Sequence, residues 1–363
     1  MADEKTLVMA ETLCQENTFL SVQELGRVYR YENGYYATVM TTKCDAAMHR
    51  IVMETEKGRT ITPAKRNDVI KNVVALTAVP EDSINPDGIF NFQDYLFDIR
   101  TRTYANHSPD YKITVRLPYR IKSSVHAPMW IKFLNEVTES CPTKLALLQE
   151  FAGYCLMRSC RFEKALFLIG SGSNGKSVFS ETLSKVFGRE NVSSVSLENL
   201  ANPVLRCNIL GKFINIDSDL PRNAERFEET FRKISSGEPI QFNEKFLAAY
   251  TTAPTCKLLY CLNEFPVIDD PSNAFYRRMI LVPFDVEFNN GNKDTDLKDK
   301  LEQELAGIFH WALQGYDRLL KQGFTQDNYM EKAIHEIKID NNPILAFAHA
   351  ELNFDKSLPG ITK

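Results

Sequence analysis

The sequence predicts an α/β protein whose parallel sheet carries a glycine-rich loop, and three consecutive segments support this fold class. The apolar run 165–169, ALFLI, is long enough for a buried parallel strand. The segment that follows, 170–177, reads GSGSNGKS. From Val178 to Phe187 the apolar residues recur at helical spacing, and Gly188 ends the pattern. A strand, a glycine loop and a helix in this order are the parts of a phosphate-binding loop.

The loop matches the pattern G-x-x-x-x-G-K-[ST] without a gap. Its glycines allow positive φ and a close approach to phosphate oxygens, and the amides of the loop and helix then point at the anion. Lys176 would bring positive charge to the β and γ phosphates, and the Ser177 hydroxyl would bind Mg²⁺. A chance glycine loop around a surface lysine is disfavoured by the flanking strand and helix. The sequence therefore predicts binding of ATP or another nucleoside triphosphate with magnesium, through Gly170, Ser171, Gly172, Ser173, Asn174, Gly175, Lys176, Ser177 and Val178.

Composition sets limits on the class of protein. The 363 residues are enough for two to three domains, and 44% hydrophobic with 25% charged residues is ordinary for a globular chain. The net charge of -4 gives no general attraction to nucleic acid, so a DNA contact would need a local basic patch. The eight cysteines form no C-x-x-C pair, which favours reduced, buried thiols over a zinc site. No apolar run reaches membrane-spanning length, so we expect a soluble, cytoplasmic protein without a membrane partner.

Pattern changes along the chain predict three parts. Residues 1–140 form an N-terminal domain, with a hairpin turn at Asn33-Gly34 and short strands over 89–98 and 112–119. Residues 141–290 hold the phosphate loop and further apolar strands. Residues 291–363 read as a C-terminal helical segment, for which a winged helix is one option.

Two apolar strands beyond the loop end in polar groups suited to hydrolysis. The strand after Gly211 ends in Asp217-Ser218-Asp219, and either carboxylate could hold the Mg²⁺ shell or orient the attacking water. An ordinary polar turn is the alternative. Asn263 ends the next strand and could hydrogen-bond a γ-phosphate or the lytic water without adding charge.

Basic residues further along the chain suggest two more contacts. Residues 238–246 read as a hairpin whose tip carries Lys245 and Phe246, which could meet nucleic acid through charge and stacking, or could simply be solvated. Arg277-Arg278 precedes another apolar strand. This pair is either a surface salt-bridge partner or a group that reaches a neighbouring subunit's nucleotide.

Five motifs in order resemble the superfamily-3 helicases, in particular the helicase portion of phage and plasmid primase-helicases of the poxvirus and staphylococcal-island type. They are the glycine loop with Asn174 before Gly175-Lys176, then 211–219 (GKFINIDSD), 233–240 (KISSGEPI), 262–266 (LNEFP) and 269–278 (DDPSNAFYRR). The motifs span about residues 165 to 285, and weaker similarity runs back through 89–140.

The resemblance implies a P-loop, AAA+-like helicase core, a smaller N-terminal α+β domain and a C-terminal helical segment. Six subunits would form a ring, hydrolyse ATP between subunits and move 3′ to 5′ on single-stranded DNA. By carry-over Lys176 and Ser177 bind phosphate and Mg²⁺, Asp219 is the second acidic element, and Asn263 is the polar sensor. Arg277 or Arg278 is the arginine finger acting in trans. Lys245 and Phe246 lie on the pore hairpin, and Lys233 is a further DNA-contact candidate.

The resemblance also bears on partners and alternatives. The expected partners are single-stranded or forked DNA, five further copies of the chain, and a separate primase or initiator protein in a bacterial host. Asp217 remains a candidate catalytic acid because the usual adjacent acidic pair is here split by Ser218. Ahead of residue 89 the acidic triad and zinc cysteines of a primase are lacking, so we expect no primer synthesis. A loader or remodeller that does not unwind DNA, and a nucleotide-switched binding protein, are the alternatives.

Overall fold

The structure, a computed structural model, describes residues 2–42, 44–55, 61–218, 228–245, 247–263, 265, 273–288, 294–326, 328–340 and 347. The helices in these ranges are α1 Ala2–Glu16, α2 Ala46–Thr55, α3 Pro63–Leu76, α4 Pro128–Val137, α5 Pro142–Tyr154, α6 Lys176–Val186, α7 Leu197–Leu200, α8 Glu228–Ser236, α9 Asn273–Tyr276, α10 Leu297–Glu302, α11 Leu305–Gln322 and α12 Asn328–Asp340. The strands are β1 Phe19–Val22, β2 Arg27–Glu32, β3 Tyr35–Met40, β4 Ile89–Asn91, β5 Leu96–Asp98, β6 Thr103–Ala105, β7 Ala165–Ile169, β8 Val192–Ser193, β9 Ile214–Asp217, β10 Ile240–Phe242, β11 Tyr250–Thr252, β12 Lys257–Leu262 and β13 Met279–Pro283.

The centre of the fold is a five-stranded parallel sheet in the order β13-β7-β12-β9-β8. The α/β fold class is confirmed by this sheet and its helices. Strand β7 pairs with β13 on one side and with β12 on the other, so the glycine loop leaves the sheet between two strands. Because all five strands are parallel, their carboxyl ends meet at one edge, which is where ligands bind in open α/β sheets.

Both faces of the sheet are buried, which explains why the strands read as continuous apolar runs. Alternate residues of β7 face opposite cores: Leu166 and Leu168 join one hydrophobic cluster, while Phe167 joins the other. The first cluster is built from α4, α5, α6 and α11, and the second from α7, α8 and α9.

Helices α5 and α11 approach closely enough to require glycine where they touch. A Cβ on Gly153 would lie 2.1 Å from the backbone nitrogen of Tyr316, and one on Gly315 would lie 1.9 Å from the carbonyl oxygen of Gln149. Helix α11 is therefore part of the core that supports the central sheet. The described C-terminal residues, 294–326 and 328–340, contain helices and no strand, and the winged-helix option stays a prediction.

The N-terminal residues form a separate hydrophobic core in which α1, α2 and α3 pack on the sheet β1-β2-β3. Its hairpin turn lies at Asn33-Gly34, where both residues have positive φ, as predicted. Strands β4 and β5 and helix α4, by contrast, pack into the same cluster as α6 and α11. The packing thus divides the chain near residue 85, while the boundary near 140 stays a prediction.

One strand prediction in this part is wrong. The segment 112–119 contains no strand, since its backbone forms only scattered bonds, such as Tyr36 N to Ile113 O at 2.8 Å and Leu117 N to Asn91 O at 2.7 Å. Among the helices that the structure describes, none has the length and apolar character needed to cross a bilayer.

Candidate nucleotide site and hairpin

The glycine loop connects the carboxyl end of β7 to the first turn of α6, as the sequence predicts. Three loop residues have positive φ: Gly172 at 119°, Ser173 at 49° and Gly175 at 92°. These angles turn the chain sharply, and α6 begins directly with Lys176. The loop therefore faces the positive end of the α6 dipole, a favourable place for an anion.

Lys176 is buried in the loop and bonds to two neutral acceptors. It is 5% exposed, and its Nζ donates to the carbonyl oxygen of Gly170 and, at 3.0 Å, to Oδ1 of Asn174. Burial lowers the pKa of Lys176 below its ordinary value. Within the described residues no carboxylate forms an ion pair with this ammonium, so its charge is available to a phosphate.

The chain after β13 runs along the loop and fixes it. Phe284 N donates to Ile169 O at 2.7 Å, Phe288 N donates to Ser173 O at 2.8 Å, and Ser171 Oγ donates to Glu287 Oε1 at 2.8 Å. We call residues 284–288 the strap. It holds the loop in shape at three points along its length.

The loop has room for a phosphate and a suitable set of donors. A Cβ placed on Gly172 would meet nothing within 4 Å, so the space beside this residue is open. Gly175, on the other side, is backed by helix α4, because a Cβ there would lie 2.7 Å from Val137 Cγ1. Ser177 is exposed at the first turn of α6. A loop with open space beside Gly172, a buried cation and a neighbouring hydroxyl fits a magnesium–triphosphate group.

Asn263 and Asp217 lie at the same edge of the sheet as the loop. Gly170 N donates to Leu262 O at 3.1 Å, and exposed Asn263 is the next residue of that strand. Asp217 pairs in register with Tyr260, which in turn pairs with Phe167. It therefore sits two strands from β7, about 10 Å across the sheet, level with a residue three positions before the loop.

Cys261 lies between these polar groups. Burial raises the pKa of the Cys261 thiol to about 11. The Ser180 hydroxyl and the charge of Lys176 act in the opposite direction, and the charge of Asp217 raises this pKa further. The thiol therefore feels the charges of both Lys176 and Asp217. Asp219 lies outside the described residues, so the choice between the two acids stays open.

The two adjacent arginines occupy different environments. The side chain of Arg278 is 2% exposed and donates to Glu163 at 2.8 Å, to Ser236 Oγ at 2.7 Å and to Ala274 O at 2.8 Å. The side chain of Arg277 is 65% exposed and has one ion pair, with Glu163 at 3.5 Å. Both precede β13, whose five residues separate them by about 16 Å from the edge that carries the loop. Arg277 is thus the exposed member of the pair, and Arg278 is the buried one.

The predicted hairpin is present as the antiparallel pair β10-β11. Its return strand begins only at Tyr250, beyond the segment 238–246 in which the hairpin is predicted, so the tip is longer than expected. Lys245 lies in the tip and is exposed, whereas Phe246 lies outside the described residues. Lys233, on α8, forms an ion pair with Glu229 at 2.6 Å.

The hairpin tip rests on the N-terminal domain. Thr42 Oγ1 donates to Glu244 Oε1 at 3.4 Å, and a Cβ on Gly26 would lie 3.0 Å from Leu247 Cδ1. At the base of the hairpin, buried Arg206 donates to the carbonyl oxygen of Gln241 at 2.8 Å. Contacts from two sides thus orient the tip that carries Lys245.

The sequence did not predict the strap or the contact between α4 and the glycine loop. The apolar run 279–284 indicates a strand, but no local pattern reveals that it pairs with β7 and returns to the glycine loop. Phe284 acts through its backbone, which carries no sequence signal. Val137 is one position in an ordinary amphipathic helix.

Two family models match separate parts of the chain. A model described as D5 N terminal like matches residues 9–139, and a family of unknown function (DUF5906) matches residues 168–278. Among curated proteins, "Putative helicase 184R" of Invertebrate iridescent virus 6 is 21% identical over 258 residues, which is 65% of this chain. The chain spans 26% of the length of that viral protein.

Solved structures of the C-terminal region of NrS-1 have a similar fold. An apo A form is matched with a TM-score of 0.59 at 14% identity, over 92% of this chain and 74% of that one. The A form of residues 305–718 is matched with a TM-score of 0.61 at 14% identity, over 95% and 78%. A further apo structure of the same region is matched with a TM-score of 0.55 at 13% identity, over 96% and 83%.

Together these matches confirm the resemblance to the phage primase-helicases that the motifs indicate. The identity to the NrS-1 structures is low, so they show likeness of fold alone. The superfamily-3 subtype stays a prediction.

Proposed function

We propose that this chain, which resembles the phage primase-helicases, is an ATP-driven DNA helicase of the superfamily-3 type that serves replication of a mobile element. The observation that carries the proposal is the glycine loop at the carboxyl end of β7, in which a buried lysine has only neutral partners among the described residues. The strand order also supports it. A polar strand end on β12 and an acidic one on β9 share the loop's edge, where ligands of open α/β sheets bind.

In this proposal each residue has a role in ATP hydrolysis. The backbone amides of the loop hold the phosphates, and Lys176 moves from the Gly170 carbonyl to the β and γ oxygens. Asn263 orients the attacking water. Mg²⁺, held by Ser177 with Asp219 or Asp217, would neutralise charge on the β and γ phosphates.

The proposed ring completes the site. Arg277 is about 16 Å from the edge that carries its own loop, a distance set by the five residues of β13. It is nevertheless exposed and able to contact a neighbouring copy. An arginine supplied in trans stabilises the charge of the transition state. A ring of six subunits would also gather six copies of Lys245 on its axis, which lets an acidic chain hold single-stranded DNA.

The alternative is an ATPase that loads or remodels a nucleoprotein complex without unwinding DNA. One observation favours it: the hairpin tip contacts the N-terminal domain through Glu244 and Leu247. DNA that binds the tip would therefore have to displace these contacts or bind with them in place.

Strand displacement on a forked DNA with ATP separates the two. The helicase proposal predicts ATP-dependent separation that Lys176→Ala abolishes. Hydrolysis without strand separation on either fork polarity would favour the loader instead.

A further inference from the structure

We infer that Asn174 is a positioning residue for Lys176: it holds the lysine ammonium from the loop side and is itself anchored on the strap. This inference rests on the proposed function, because it concerns how the same loop handles a triphosphate. It assigns to the Asn174 side chain a role other than binding phosphate.

The contacts of Asn174 use both ends of its amide. Nδ2 donates to the carbonyl oxygen of Phe284 at 3.2 Å, and Oδ1 accepts from Nζ of Lys176 at 3.0 Å. The residue is 2% exposed. The carbonyl needs a donor and the ammonium needs an acceptor, so only one orientation of the amide satisfies both.

The surroundings leave little freedom for this side chain. A Cβ on Gly170 would lie 2.1 Å from Nδ2 of Asn174 and 2.3 Å from the carbonyl oxygen of Phe284. The strap is fixed in turn, because Phe284 N donates to Ile169 O at 2.7 Å. Asn174 therefore links the strap, which begins at the end of β13, to the ammonium group of Lys176.

The residue type follows from these two partners. An aspartate would set a second acceptor against the Phe284 carbonyl, and an apolar side chain of the same size would leave that carbonyl and the ammonium without this partner. The amide nitrogen has a second N–H, but the side chain is 2% exposed, so we expect it not to reach a phosphate. Its main-chain amide can still take part in the loop.

A positioning role predicts a specific pattern of losses. Backbone amides cradle the α and β phosphates, whereas Lys176 reaches the β and γ phosphates, and the γ-phosphate is present only in the triphosphate. Removing the Asn174 side chain would let the ammonium of Lys176 shift. The affinity for the triphosphate should therefore fall more than the affinity for the diphosphate. Since Asn174 acts through Lys176, its removal should matter little once the lysine is gone.

The test is a double-mutant cycle with Asn174→Ala and Lys176→Ala in the full chain. Dissociation constants are measured for ADP and for a non-hydrolysable ATP analogue with Mg²⁺. For Asn174→Ala we expect ADP affinity within about threefold of wild type and a loss of about tenfold or more for the analogue, as for a hydrogen bond to a charged group. In the Lys176→Ala background the second substitution should add no more than about twofold.

The matched control is Asn208→Ala. Asn208 is exposed, and its amide donates to Leu205 O at 2.9 Å within its own turn, so this variant should keep both affinities. Equal losses of ADP and analogue in Asn174→Ala, or a further tenfold loss in the Lys176→Ala background, would overturn the inference. A wild-type chain that binds neither nucleotide would instead overturn the proposed function.

If Asn174→Ala does not fold, a crystal structure of the wild-type chain with the analogue decides. Nδ2 of Asn174 is expected to remain on the Phe284 carbonyl, with no Asn174 side-chain atom within hydrogen-bond distance of phosphate. Rotation of this side chain onto a phosphate oxygen would overturn the inference.

Discussion

Replacing each of the two adjacent arginines by alanine should give opposite phenotypes. Arg278→Ala removes a side chain that is 2% exposed and leaves the Ala274 carbonyl and Ser236 hydroxyl without their donor. Two such acceptors correspond to a loss of about 2–4 kcal/mol in the free energy of unfolding. The Glu163 carboxylate adds little, because it is 43% exposed and water can solvate it.

Arg277→Ala should leave the fold intact. Its side chain is 65% exposed and forms one ion pair at 3.5 Å, so the free energy of unfolding should change by no more than about 0.5 kcal/mol. If Arg277 is the finger, hydrolysis should fall by about 10³-fold or more. Urea denaturation and steady-state phosphate release measure the two effects on the same samples.

Mixing two inactive variants tests whether neighbouring subunits share the nucleotide site. Subunits with Arg277→Ala keep an intact loop, and subunits with Lys176→Ala keep an intact finger. In an equimolar, randomly assembled ring about one quarter of the interfaces would pair the two intact halves, so hydrolysis should recover to about that fraction of wild type. Normal hydrolysis by Arg277→Ala alone, or no recovery on mixing, would refute the shared site.

Three further predictions concern the loop and the hairpin, and the last of them uses Lys233 on α8 for comparison. Gly170→Ala should lower both the triphosphate affinity and the melting temperature, because its Cβ would lie 2.1 Å from Asn174 Nδ2. Nucleotide titration and thermal unfolding measure the two effects, and an unchanged affinity would contradict the prediction. Burial lowers the pKa of Lys176, so triphosphate affinity should fall as pH rises through that lowered value and the ammonium loses its proton, a slope that Lys176→Ala should lack. Lys245→Ala should abolish strand separation and reduce the salt dependence of DNA binding by about one unit of slope for each phosphate that the lysine neutralises. Lys233→Ala should have a smaller effect on strand separation, because Lys233 already forms an ion pair with Glu229. If Lys245→Ala unwound DNA normally, the assignment of Lys245 to the pore would be wrong.

The loop and its strand could be predicted because their chemistry is local. Gly172 and Gly175 are needed for the turn itself, and the positive φ at both positions agrees with the pattern. Apolar runs likewise indicated β7, β12 and β13, since strands buried on both faces show no alternation.

What could not be predicted depends on pairing between distant segments. Nothing in the sequence distinguishes Arg277 from Arg278. Only the packing of Ser236 and Glu163 around Arg278 makes it a buried, structural arginine, while Arg277 is exposed. The strap at Phe284 is similar, because a backbone carbonyl bound by Asn174 leaves no trace in the residue type. The strand expected over 112–119 was wrong, since an extended apolar pattern does not supply a partner strand.

The most direct measurement of the central claim is ATP hydrolysis with and without single-stranded DNA, recorded together with separation of a labelled fork. For the wild-type chain we expect hydrolysis that DNA stimulates and strand separation that requires ATP. Lys176→Ala should lose both while retaining its fold. Slow hydrolysis that DNA does not change, with the fork left intact, would contradict a helicase and indicate a nucleotide switch.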